Sequence, residues 1–378
     1  VLEGLDAIDW TSLEHAYGDA SDVPDLLRDL GEGRESAFDS LWGNAFHQGT
    51  RYSVSPVIVP FLVEILGARR DEDDRALAIT RGILEYLHGL AMGYPTDLFP
   101  RPIDPDAWEA QIAGVDPGRW RERAPGEPRA SRDAWLRARD GYWATKSYLA
   151  VESVLGELLR FLSHGAPSIE VATCALLASF PRERARSLPA LVTALDRSSP
   201  TQSAALVAIA RLGEVTPRTR EALVAEGDDE ATALLRLHAA VAIAIGPEAV
   251  DEAVLGVLTT PLGALAKRES PFAGTVSALV SAALLHVPAS HREVVVRALA
   301  AQHADADGLT CLQLTRDLLE LVFPSRAPAS AAELTPIARV ALEAVATSRG
   351  WEWGNYATLL RNFALPTKKS DFAAWLGR

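Results

Sequence analysis

The side chains able to do chemistry are spread thinly along this sequence. Its eight histidines, at 15, 47, 88, 164, 238, 286, 291 and 303, form no close set. His286 and His291 flank Pro288 at a five-residue spacing that shares no helix face, which makes a poor metal pair. His238 lies in a long apolar stretch, where a hydrogen-bonded core histidine is expected. The two cysteines, Cys174 and Cys311, are far apart in apolar surroundings, so neither a disulfide framework nor a cysteine-rich metal site is expected. Cys174 reads as a small buried hydrophobe, because no basic neighbour would activate its thiol. There is no G-x-x-x-x-G-K-[ST], no G-x-S-x-G and no H-E-x-x-H, and Gly31-Glu32-Gly33 lacks the third glycine of a dinucleotide fingerprint. The expectation is therefore no catalytic residue, no metal ligand and no cofactor.

Binding chemistry is better represented. The densest polar run is Gly43 to Ser53. Asn44, His47 and Gln48 are spaced to share one helical turn, and Thr50 and Tyr52 follow in a loop. These groups could hold a peptide backbone, a side-chain amide or a small polar molecule. They could equally satisfy the orphan carbonyls of a helix end and fix the turn. Tyr142, Trp143 and Lys146 form a second group, an amphipathic anchor of the kind that dominates interfaces. Trp108, Trp120 and Trp135 form a third, inside a segment rich in proline and arginine.

The elements that must position these residues are helices. In Tyr142 to Leu162 the apolar residues Tyr148, Val151, Leu155, Leu158, Leu159 and Leu162 recur at three- and four-residue steps. Strict alternation is nowhere sustained. Helix starts are marked by Ser199-Pro200-Thr201-Gln202, by Ser290 with Glu293, by Ser330 with Glu333, and by the cap-plus-proline pairs Thr216-Pro217 and Ser270-Pro271. The resulting antiparallel pairs are 34–47 with 54–67, 73–92 with 142–163, 168–180 with 182–196, 199–212 with 216–226, 230–245 with 248–258, 272–286 with 289–303, and 308–322 with 333–349. A last helix at about 352–364 belongs to a tryptophan-rich cap spanning 351–378. From the third pair onward the unit is about 30–45 residues long, the range of helical repeats.

The phrasing repeats as well. Val59-Pro60-Phe61-Leu62-Val63-Glu64-Ile65-Leu66 is echoed by Leu188-Pro189-Ala190-Leu191-Val192-Thr193-Ala194-Leu195, and more faintly by Val23-Pro24-Asp25-Leu26-Leu27. A helix ending in P-x-L-x-x-x-L, a polar turn and a small-residue helix such as Ser203 to Gly213 resemble HEAT repeats. The resemblance spans most of 20–350 and implies an all-α fold, a right-handed superhelical α-solenoid of antiparallel helix pairs running through 1–378. The family's Asp-then-Val-Arg turn signature is mostly missing. One stretch, 93–141, breaks the period and reads as an insertion with short helices at about 105–113 and 131–140. Insertions in solenoids often map to the binding face.

Charge narrows the function classes. Subtracting 50 acidic from 37 basic residues leaves −13, which disfavours nucleic acid as a partner and favours a basic one. The expected function is a non-catalytic scaffold that binds a protein or peptide on the concave face and the insertion. The alternative is an enzyme or small-ligand binder acting from that face, such as a HEAT-like DNA glycosylase or a biosynthetic accessory enzyme. A glycosylase would need a basic stripe, for which Arg182, Arg184, Arg186, Arg218 and Arg220 are the one local cluster. No apolar run approaches the ~20 residues that span a bilayer, and the opening VLEGLDAIDW has no basic leader region. A cytoplasmic protein with no membrane partner is expected.

Overall fold

The structure is a computed structural model describing residues 2–69, 73–94, 99–118, 120, 124–303, 306, 308–323 and 325–377, with the side chains of 308 and 309 excepted. It is mostly helical, with three two-stranded hairpins among the described residues. None of the described helices is long and apolar enough to cross a membrane. The chain divides into two compact units, Val1–Leu212 and Gly213–Arg378.

The first unit contains α1 (Val23–Gly31), α2 (Ser36–Asn44), α3 (Val54–Val57), α4 (Val59–Ala68), α5 (Asp74–Met92), α6 (Pro105–Ile112), α7 (Arg129–Leu158), α8 (Pro167–Leu177), α9 (Arg184–Ala194) and α10 (Ser199–Arg211). Two hairpins join them, β1 (Glu14–His15) with β2 (Gly18–Asp19) and β3 (Phe46–His47) with β4 (Thr50–Arg51). Burial on one side drives the packing: α5 buries Ile79, Ile83, Leu84, Leu87 and Leu90 against α7 and α8, and α8 packs in turn on α10. Buried Glu170 on α8 ties that pairing together. Its carboxylate accepts from Arg197 Nη2 at 2.5 Å, from Thr201 Oγ1 at 2.8 Å and from the Gly165 N–H at 3.0 Å.

The second unit contains α11 (Pro217–Leu223), α12 (Glu230–Ile245), α13 (Glu252–Thr259), α14 (Val276–Leu284), α15 (Arg292–His303), α16 (Gly308–Val322), α17 (Pro336–Thr347), α18 (Gly354–Asn362) and α19 (Lys369–Leu376), with the hairpin β5 (Glu269–Ser270) and β6 (Gly274–Thr275). Neighbouring helices pack on the next and the next but one, as α12 does on α13 and α14, and α15 on α16 and α17. Near the C-terminus, Trp351 and Trp375 cover a core of Tyr356, Leu360, Phe372 and Leu376.

Several expected boundaries move. The helix expected over 34–47 stops at Asn44, and 46–51 forms a hairpin instead. The helices expected at 131–140 and 142–163 are one 30-residue helix, α7, which runs through Gly141. A helix tolerates a glycine at a cost of about 1 kcal/mol, less than its packing supplies here. Ser270-Pro271 belongs to the β5–β6 hairpin, and α14 is capped by Thr275, whose side chain accepts from the Ala278 N–H. Ser330 caps a short 3-10 turn, and the helix starts later, behind Thr335. The helix expected over 248–258 begins only at Glu252, capped by Asp251. Pro95, one of the prolines of the 93–141 stretch, lies outside the described residues.

Candidate functional site

The structure divides the expected site residues into two groups joined by α7. The first surrounds the β3–β4 hairpin. Gln48 and Gly49 both have positive φ, 49° and 85°, the conformation of a tight two-residue hairpin turn. His47 pairs with Thr50 across it. His47 and Gln48 therefore do not share a helix face with Asn44, as the spacing had suggested, because the helix has already ended. Asn44 is committed elsewhere: its Nδ2 donates to Asp22 Oδ2 at 2.8 Å. His15 Nδ1 accepts from the Tyr17 N–H at 3.0 Å, so its Nε2 carries the proton and donates to Asp22 Oδ1 at 2.9 Å.

Two tyrosines flank the β3–β4 hairpin. Tyr17, from the β1–β2 turn, meets His47 edge-on with centroids 5.4 Å apart. Tyr94, just after α5, meets Phe46 edge-on at 5.6 Å. Adjacent strand residues point to opposite faces, so the tip carrying exposed Gln48 sits between the two rings. Behind the tip, Arg51 Nη1 donates to the Gly49 carbonyl at 2.5 Å, while its buried Nε has no partner among the described residues. Burial pushes this guanidinium down to about 10, partly opposed by Asp140. Burial also raises Tyr52 and Asp140, the first reinforced by the Asp140 charge, the second opposed by Arg139 and Arg51. The Tyr52 N–H donates to Ser55 Oγ at 2.7 Å, so this residue closes the turn into α3.

Trp120 and Trp135 are tied to the β1–β2 hairpin through a ladder of rings and guanidinium groups. Arg132 lies 5.6 Å from the Trp120 ring centre and 4.3 Å from that of Trp135, and Arg139 lies 6.0 Å from Trp135. Arg139, only 2% exposed, closes the ladder with a 2.8 Å ion pair to Glu14 on β1. The same carboxylate accepts the Trp120 N–H at 3.0 and 3.1 Å. Trp120 nevertheless stays 54% exposed, alongside Tyr17 at 70% and Tyr94 at 46%. Glu14, Tyr17, Tyr94, Arg132 and Arg139 were not singled out from the sequence, although Arg132 and Arg139 follow the helical spacing of Trp135.

The second group lines an open cleft of about 310 Å³ between α6 and α7, formed mainly by Glu109, Ile112, Val115, Tyr142, Lys146 and Leu149. Lys146 Nζ stands 5.5 Å from the Tyr142 ring centre. Trp143 meets Tyr142 edge-on at 4.9 Å, and its indole Nε1 is buried without a partner among the described residues. Trp108 packs edge-on against buried Tyr148 at 5.2 Å and so fastens α6 to α7. Arg182 adds to that fastening, reaching Asp106 and Glu109 at 2.5 Å and Glu152 at 3.4 Å. Arg182 and Arg220 are thus both engaged with acids, Arg220 with Glu248 and Asp251.

The histidines stand apart from both groups except at His15 and His47. His88 Nε2 meets Ser179 Oγ at 2.9 Å in the core, His238 Nδ1 donates to the Leu234 carbonyl, and His303 Nε2 meets Thr315 Oγ1 at 2.8 Å. Cys174 is buried, and burial pushes its thiol up. Among the described residues no group of three or more His, Cys, Asp or Glu side chains is placed to hold a metal ion. The fold defines a mainly helical protein with an aromatic hairpin face. Compared with family models, curated proteins and solved structures, the chain matches none.

Proposed function

We propose that this chain is a non-catalytic scaffold that binds a protein partner through the aromatic face around the β3–β4 tip. The observation that carries the reading is that three exposed aromatic residues lie at the two N-terminal hairpins, Tyr17 and Tyr94 on either side of the β3–β4 tip and Trp120 held on Glu14 of β1. Isolated exposed hydrophobic residues need no explanation, but clustered Tyr and Trp are the side chains that anchor interfaces at low entropic cost. The Glu14–Arg139 pair and the Arg–Trp ladder hold the face in shape before a partner arrives, which lowers the cost of binding.

Asp19 and Asp22 are exposed beside Tyr17 and favour a basic segment in the partner, as does the net charge of −13. The frame is read as a HEAT-like α-solenoid, supported within each unit by helices that pack on the next and the next but one. Two free, buried cysteines fit a reducing, cytoplasmic setting.

The test is affinity capture with the wild-type chain and with a Tyr17→Ala, Trp120→Ala double variant. The expected result is a protein retained by the wild type and bound at least tenfold more weakly by the variant, with thermal unfolding unchanged. Recovery of a small molecule or nucleic acid with no protein, or equal retention by both chains, would overturn the proposal.

A further inference from the structure

We propose that His15 is a proton-operated latch on the turn that presents Tyr17, closed when its ring is neutral and opened by a fall in pH. Its consequence for a partner rests on the reading of Tyr17 as an anchor given above. The ring sits at the end of β1 with its side chain only 7% exposed, and both of its nitrogens are in use. Nδ1 accepts from the Tyr17 N–H at 3.0 Å, and Nε2 donates to Asp22 Oδ1 at 2.9 Å. A nitrogen that accepts carries no proton, so only the neutral ring protonated on Nε2 makes both bonds. A second proton goes to Nδ1 and sets two donors against each other across that 3.0 Å.

Charge decides which bond yields. Once the ring is a cation, its bond to Asp22 is charge-assisted and roughly twice as strong as a neutral one. Asn44 Nδ2 holds the other Asp22 oxygen at 2.8 Å, which anchors the carboxylate to the end of α2. The ring therefore stays, and the Tyr17 N–H is given up to water, which reaches this 70% exposed residue. Tyr17 lies in the two-residue turn between β1 and β2, with its ring 6.3 Å from that of His15 and 5.4 Å from that of His47. A shift of the turn moves Tyr17 away from the β3–β4 tip. The other charges nearby are engaged or point elsewhere. β2 carries Asp19, whose Oδ1 accepts the Ser21 N–H, and α3, which packs on β1, has no ionisable side chain. Glu14 points to the opposite face of β1 and is paired with Arg139. His47 faces the Tyr17 ring instead of its N–H.

NMR of the full chain between pH 8 and pH 5, the range in which an imidazole changes charge, tests the latch without a partner. The probes are isotope-labelled histidine and tyrosine, with His15 assigned from His15→Asn and Tyr17 from Tyr17→Phe. The expected result is a His15 proton on Nε2 at pH 8 and a Tyr17 amide resonance that moves in step with the His15 titration. His15→Asn supplies a carbonyl oxygen that accepts the N–H two residues on at any pH, so its Tyr17 amide should stay fixed. His47→Gln should keep the wild-type response. A His15 proton on Nδ1 at pH 8, a Tyr17 amide that ignores the His15 titration, or one that moves equally in His15→Asn would overturn the proposal. With the captured partner, the wild type should lose about fivefold in affinity from pH 8 to pH 5 relative to His15→Asn, the worth of one hydrogen bond. A latch that titrates while affinity does not follow would overturn the reading of Tyr17 as an anchor and leave the latch standing.

Discussion

Glu14 is the residue on which the aromatic face depends. Its carboxylate takes the Arg139 guanidinium and the Trp120 N–H together, joining β1, α7 and the segment before α7 at one point. Arg139 is almost fully buried, so its charge is stabilised by this partner and not by water. Arg139→Met keeps much of the packing but leaves the Glu14 carboxylate without its counter-charge. The expected cost is about 3 kcal/mol, read as a lower urea midpoint, with a shift in tryptophan fluorescence as the Trp120–Trp135 ladder opens. A change below about 0.5 kcal/mol would mean that the pair is solvated in solution.

At the scale of elements, the β3–β4 hairpin is set by its turn. A two-residue turn with both φ values positive matches the right-handed twist of paired strands, and Gly49 adopts it without strain. A Cβ at position 49 would also sit 3.4 Å from the Tyr94 ring. Gly49→Ala is therefore expected to cost about 1 kcal/mol through its positive φ, with Tyr94 kept in place and partner binding lowered by no more than that. Comparing thermal unfolding with partner affinity for this one variant checks both. Helix α6 illustrates the same logic for the cleft: its eight residues are held on α7 by Trp108 and by Arg182, and not by a large apolar face of their own.

Across the whole molecule, buried histidines set the acid limit of stability. Burial, helped by the Arg211 charge, pushes His88 down to about 3; burial pushes His303 down to about 4 and lowers His238 as well. In the unfolded chain each titrates near 6.5. Above that pH neither state binds the proton and stability is complete. As pH falls from about 6.5 toward 4, the unfolded chain takes up protons that the folded chain refuses. Each histidine then removes up to about 1.4 kcal/mol per pH unit. Urea midpoints should fall steeply between pH 7 and pH 5, and His88→Gln or His303→Gln should flatten the slope. A profile independent of pH over that range would show that these rings take up protons as readily in the fold as in the unfolded chain.

Local signals settled much of the architecture in advance. The helix over 230–245 is observed as Glu230–Ile245, and the insertion helix expected at 105–113 as Pro105–Ile112, because caps and three- to four-residue spacing act within a few turns. The β3–β4 hairpin escaped because strands of two residues show no alternation, and α7 was split at Gly141 because packing outweighed the propensity of one glycine. The candidate residues were named without their grouping. His47, Gln48 and Thr50 were legible as polar residues in a turn, yet Tyr17 and Tyr94 meet that turn from 30 or more residues away in sequence. Glu14 finds Arg139 across 125 positions. Sequence by itself determined the helical class, several helix bounds and the excess of acid, all properties of neighbouring residues or of sums. Only the tertiary structure decided which side chains converge, because convergence depends on how distant helices pack, and no local preference encodes that.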